Sequence, residues 1–148
     1  MPPLLANVGK RLVRSPKVYV RDSGLVHALL GLGDKEAVLG HPVAGASWEG
    51  WVLENAIGAA KGRAEPSFYR TSGGAEIDLV LSWRDGRVWA IEVKRSAAPK
   101  LERGMRSALE DLQPDRSFVV YPGSERYRLA AGTEAIGLAE LCAEIGAA

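Results

Sequence analysis

The sequence predicts an α/β domain whose central sheet is covered on both faces, on three observations. Two apolar runs, residues 75–83 and 87–94, flank the turn Arg84-Asp85-Gly86. Both runs are apolar on both faces, with Ile77, Leu79, Leu81, Trp89, Ile91 and Val93 on one side and Val80, Val88 and Ala90 on the other. Strands of that kind belong in the middle of a sheet with layers above and below it. Helical spacing of apolar residues recurs before them, over residues 48–60, and after them, over residues 101–112.

Composition bounds the rest. The 148 residues are 47% hydrophobic and 25% charged, enough for one domain with a real core and unlike a disordered chain. The formal net charge of +1 and the pI near 7.9 lack the strong basic balance that by itself marks a nucleic-acid binder, so any such function must rest on a local site. Cys142 is the single cysteine, which excludes a disulfide framework and a cysteine zinc site. His27 and His41, the two histidines, stand at no metal-ligand spacing. No apolar run approaches the roughly 20 residues of a membrane span, and Met1-Pro2-Pro3 lacks a signal-peptide pattern, so the expectation is a cytoplasmic protein.

Residues 1–16, with Pro2, Pro3, Pro16 and the basic Lys10, Arg11 and Arg14, read as an irregular lead-in, the end of a missing upstream domain; the domain proper is expected over 17–148. Residues 17–20 are a short strand candidate. Asp22 or Ser23 is placed to cap a helix ending at Gly31. Gly31-Leu32-Gly33 fails as a dinucleotide fingerprint because position 36 is Glu, and reads as a helix stop and loop. After a linker at 42–46, Ser47 is the expected cap of a helix from Trp48 to about Ala60. Gly45-Ala46-Ser47-Trp48-Glu49 is no nucleophile elbow, since Glu stands where that motif needs Gly and no strand precedes it.

On that helix Glu49 falls among the apolar residues Trp48, Val52, Leu53 and Ala56, whereas Glu54 faces solvent. A carboxylate in that position satisfies an internal hydrogen bond or ion pair, or belongs to a polar site. Residues 68–71 read as a strand, closed by Ser72-Gly73-Gly74. Beyond the hairpin, Pro114 ends the 101–112 helix, 118–121 is a strand, 127–130 is a further candidate, and 138–145 is an amphipathic helix.

The acids of the central hairpin carry the functional argument. A lone carboxylate is rarely buried, so Asp78, Glu92 and Lys94 need one another, a metal ion or the edge of a cleft. Glu92 and Lys94 share a face by alternation. A two-residue loop at Asp85-Gly86 would set Asp78 opposite Val93, on the wrong face. A three-residue loop, Arg84-Asp85-Gly86, sets Asp78 opposite Glu92 and puts Gly86 where such hairpins want a left-handed residue, and it is the register favoured.

This pattern, a helix acid at Glu49, Asp78 on one strand and Glu92-Val93-Lys94 on the next, resembles the PD-(D/E)XK nuclease superfamily. A closer resemblance is to DUF4143, the C-terminal domain of prokaryotic AAA-type ATPases. It is carried by Lys10 to Tyr19, Asp22-Ser23-Gly24-Leu25, Trp48-Glu49, Phe68-Tyr69-Arg70, Glu76-Ile77-Asp78-Leu79-Val80 and Ile91-Glu92-Val93-Lys94. The resemblance implies a restriction-endonuclease-like αβββαβ core with a central mixed sheet flanked by helices, and hydrolysis of DNA phosphodiesters as the activity. Glu49, Asp78, Glu92 and Lys94 are the expected catalytic set. Asp78, Glu92, Glu49 and the Val93 backbone carbonyl are hard oxygen donors of the kind Mg2+ or Mn2+ prefers, and Lys94 would stabilise the attacking hydroxide or the phosphorane. Arg70, Arg95 and Lys100 flank the site as candidate phosphate contacts, while Trp83 and Trp89 read as core. The resemblance also makes an AAA-type ATPase module a possible partner and a homodimer compatible with the fold, although the sequence holds no Gly-x-x-x-x-Gly-Lys-[Ser/Thr] loop. Two rivals stand beside the nuclease: a noncatalytic DNA-binding or docking module, and a closed buried ion network.

Overall fold

Strand pairing is organised by the central hairpin. In the computed structural model, which describes residues 1–5, 9 and 11–148, β2 (Glu76–Trp83) and β3 (Val88–Val93) pair antiparallel with Leu79 opposite Ile91 and Ser82 opposite Val88. The Trp83 N–H donates to the Arg87 carbonyl at 2.8 Å, and Gly86 takes φ +90°. This is the three-residue turn, and its register continued by one pair sets Asp78 against Glu92.

The hairpin lies inside a six-stranded mixed sheet of order β1-β2-β3-β4-β6-β5. β1 (Ala64–Arg70) is antiparallel to β2, β4 (Arg116–Tyr121) is parallel to β3, and β6 (Thr133–Gly137) is parallel to β4. β5 (Tyr127–Ala130) closes the far edge antiparallel to β6. Helix α3 (Ala44–Ala60) and α5 (Leu138–Ala147) cover one face, packing Val52, Leu53, Leu141 and Ile145 against Leu79, Leu81 and Ile91. Helix α4 (Arg103–Leu112), the crossover between parallel β3 and β4, covers the other with Met105 and Ala108 on Val80, Ala90 and Val119. It ends at Gln113 in the left-handed region, φ +47°, just before Pro114. From α3 onward the order helix, three strands, helix, strand is the one expected, in an α/β domain whose mixed sheet is flanked by helices.

Several local expectations give way. Residues 17–20 form no strand: they are extended, but Val18 and Val20 face solvent and no ladder partner lies beside them. The 31–46 stretch is not all loop, because Asp34 caps a short α2 (Lys35–Gly40). Of the two expected caps Asp22 is the one that holds α1 (Ser23–Leu29), accepting from the Leu25 N–H at 3.0 Å, but the helix stops short of Gly31. Ser47 caps nothing: α3 starts at Ala44, and the Ser47 hydroxyl instead meets His27 Nε2 at 2.7 Å. Ile77 does not share a cluster with Leu79 and Leu81; it packs with Tyr69, Ala75 and Ala90, across from the register shift between Ser67 and Tyr69 in β1. The side-chain alternation of β2 thus changes phase at Asp78.

The described parts of the lead-in lie along the outer edge of β1. Leu4 and Val13 donate backbone bonds to the Phe68 and Arg70 carbonyls, and Phe68 donates to Pro2. Lys10, counted among the basic residues of that lead-in, lies outside the described residues.

Candidate active site at the open end of the hairpin

β2 and β3 separate at the end remote from the turn. The Val93 N–H, which continued pairing would direct to the Ile77 carbonyl, donates instead to Asp78 Oδ2 at 3.0 Å. Asp78 is therefore held by β3 backbone as well as by its own strand. Glu92, the next residue back on β3, is as deeply buried as Asp78, and its Oε2 has no hydrogen-bond partner. Its Oε1 lies 3.0 Å from Lys94 Nζ, which also reaches Glu102 at 3.0 Å. The Lys94 backbone is fixed on both sides: its N–H donates to the Val120 carbonyl and its carbonyl accepts from Trp48 Nε1 at 3.2 Å.

Glu49 arrives from the first turns of α3, two residues beyond Ser47. It accepts from the Tyr19 hydroxyl at 2.6 Å and lies 3.6 Å from Lys17 Nζ. Lys17 is the residue that sequence reasoning missed as a site member. Its ammonium is 2.9 Å from Glu76 and 3.3 Å from Asp78, so it touches three carboxylates brought by α3 and β2. Arg70 forms a close ion pair with Glu76. Along this extended segment Lys17 and Tyr19 face Asp78 and Glu49, Val18 and Val20 point out, and the exposed Arg21 pairs with Glu54.

The electrostatics follow from burial. Desolvation, and then the nearby Glu49 charge, raises the Asp78 carboxyl above its ordinary value, although the Val93 N–H and Lys17 oppose the rise. Desolvation, and then Asp78, pushes Glu92 up to about 8 against the pull of Lys94. Burial works against the Lys17 and Lys94 charges, but their acid partners outweigh it and both are raised. Glu76 is burdened by desolvation too, yet Arg70 and Lys17 bring it below the usual carboxylate range.

The expected catalytic set is thus gathered at one sheet end: Asp78 and Glu92 adjacent, Lys94 on Glu92, and Glu49 linked to Asp78 through Lys17. Of the candidate phosphate contacts, Arg70 is committed to Glu76, whereas Arg95 and Lys100 are exposed and make no hydrogen bond or ion pair among the described residues. Trp83 and Trp89 are core, stacked edge-on at 5.2 Å. Tyr69 is fully buried and donates to Asp111 at 2.8 Å, a structural role.

Whether a divalent cation fits can be judged from the donors. Among the described residues, no three His, Cys, Asp or Glu side chains converge closely enough to hold a metal ion by themselves. Asp78 and Glu92 are nevertheless near enough for the Asp78 charge to raise the Glu92 carboxyl, and Glu92 has a buried oxygen lacking any partner. That suits Mg2+, which commonly takes one or two carboxylates and keeps several waters.

Comparison with known proteins places the chain. The sequence model of the family described as "Domain of unknown function (DUF4143)" matches residues 44–141, and that of "Domain of unknown function (DUF8612)" matches residues 1–36. Uncharacterised proteins of Mycobacterium tuberculosis and Mycobacterium bovis are each 49% identical over 129 residues, covering 86% of this chain and 29% of theirs. The chain therefore spans less than a third of the length of these relatives. No solved structure matches. No helix of the described residues is long and apolar enough to cross a membrane. The chain belongs to the DUF4143 family.

Proposed function

We propose that this DUF4143 domain is a metal-dependent nuclease-like domain with a restriction-endonuclease-like core, hydrolysing phosphodiesters in DNA. One observation carries the reading: Glu92 Oε2, buried and without a partner, belongs to the β3 residue next to Val93, whose N–H binds Asp78 at the place where β2 and β3 part. Leaving a buried carboxylate oxygen unsatisfied is costly, and a cation removes that cost. Asp78, Glu92 and the Val93 carbonyl would hold Mg2+ or Mn2+, with Glu49 beyond Lys17 as an outer acid. Such an ion supplies a bound water of lowered pKa and neutralises charge on the phosphodiester. Lys94, held at 3.0 Å from Glu92 and anchored through its backbone, is placed to stabilise the anionic oxygens of the attacked phosphate. Arg95 and Lys100, cationic and unpaired among the described residues, would meet the flanking phosphates, and Arg70, whose guanidinium also pairs with Glu76, would be a third contact. DNA as the substrate rests on resemblance to the PD-(D/E)XK pattern.

A second reading has its own support. Lys17 already neutralises acids of the cluster, as it would in a noncatalytic DNA-binding or docking module attached to an AAA-type ATPase. The experiment that separates the two is Mg2+- and Mn2+-dependent cleavage of single-stranded, duplex and branched DNA by the wild type and by Glu92→Ala and Lys94→Ala. Cleavage lost in both variants supports the nuclease. A folded wild type that binds but never cuts DNA supports the module.

A further inference from the structure

We infer that Lys17 is a built-in counter-cation that competes with the divalent ion for Asp78, so that metal affinity is set by the withdrawal of its ammonium. The inference rests on the metal-site reading above and adds a residue to it from outside the αβββαβ core.

Three observations converge on Lys17. Its Nζ lies within 3.6 Å of Glu49, Glu76 and Asp78 at once, the position a cation shared by α3 and β2 would take. Asp78 divides its two oxygens: Oδ2 is bound by the Val93 N–H, and Oδ1, the one left to face a metal, is the one Lys17 contacts at 3.3 Å. An ammonium and a divalent ion on one carboxylate oxygen repel each other, and in a half-buried site that repulsion is little screened. The two charges therefore exclude each other at Asp78, or share it at a cost in affinity.

The segment that brings Lys17 stands outside the six-stranded ladder. Residues 17–21 form no ladder; the Lys17 backbone is paired with Met1, at 2.8 and 3.1 Å, and Tyr19 and Arg21 reach Glu49 and Glu54 of α3. Val18 and Val20 between them are turned to solvent. On withdrawal, Lys17 retains Glu76 as its nearest partner, at 2.9 Å, so Asp78 can be vacated without leaving the ammonium unpaired.

Mn2+ titration by calorimetry of the full chain, in metal-free buffer, tests this with the wild type, Lys17→Met and Lys17→Gln, the second variant keeping a polar tip should the first fail to fold. The expected result is Mn2+ binding at least tenfold tighter in the folded variants than in the wild type. Equal or weaker binding in the variants, with the wild type binding Mn2+, overturns the inference about Lys17 and leaves the metal site standing. Failure of all three folded proteins to take up Mn2+ overturns both.

Discussion

The Val93 backbone N–H donates to the Asp78 carboxylate across the mouth of the β2–β3 hairpin, at 3.0 Å. A side chain replaces a rung of the ladder there, and the two strands open just where Glu92 and Lys94 project.

Removing the Asp78 carboxylate strands the Val93 N–H. Asp78→Ala is expected to cost about 1–3 kcal/mol in a denaturant melt, the penalty for a buried donor without an acceptor. Asp78→Asn, which keeps an oxygen for that N–H, is expected to recover much of the loss while still abolishing metal-dependent activity. Equal destabilisation by both would mean that the bond to Val93 contributes nothing.

Glu92 makes stability fall with pH. Its carboxyl is raised in the folded protein by burial and by Asp78, to about 8, above the ordinary value near 4.5 that applies when unfolded. Between these values the folded state binds more protons than the unfolded state, so ΔG of unfolding decreases as pH rises. The contribution is complete below about pH 4.5 and lost as pH passes through about 8. Melting temperatures from pH 5 to 8 without metal should decline in the wild type and decline less in Glu92→Gln, and saturating Mg2+ should flatten the wild-type curve.

Lys94→Ala is expected to leave a folded domain and lower DNA cleavage by roughly 100-fold or more, the usual loss when an electrostatic stabiliser of the transition state is removed. Since Trp48 binds the Lys94 carbonyl and not its ammonium, the backbone of the site survives the change. Circular dichroism beside single-turnover kinetics separates a lost charge from a lost fold.

The turn is a test of backbone strain. Gly86 holds φ +90°, a conformation that costs a side chain about 1–2 kcal/mol. Gly86→Ala should lower stability by that amount, read from the denaturant midpoint, with the hairpin register and metal affinity unchanged.

Those residues whose partners are local were legible in the sequence. The approach of Asp78 to Glu92 was legible from the turn, because Gly86 fixes the loop length and the loop length fixes the register up to Leu79 and Ile91. Helix α4 was legible from spacing, and its end ahead of Pro114 from that proline. β6 was missed because five residues with Glu134 inside them carry no clean period, and the parallel pairing that defines it comes from β4. α2 escaped because one capped turn and a half is too short for periodicity. Lys17 was invisible as a site residue for a different reason: 61 positions separate it from Asp78, and nothing in residues 17–20 distinguishes a strand from an extended segment lying over an acidic cluster. The phase change at Ile77 likewise needs the bulge in β1, which no pattern within β2 announces.

Anomalous diffraction from crystals soaked in Mn2+ is the most direct measurement of the central claim. The account predicts one strong peak per chain within coordination distance of carboxylate oxygens of both Asp78 and Glu92, absent from Asp78→Asn crystals, with Lys17 Nζ moved away from Asp78. No peak at that position in well-ordered crystals, with Lys17 still on Asp78 and Glu92 Oε2 still unpartnered, would contradict it.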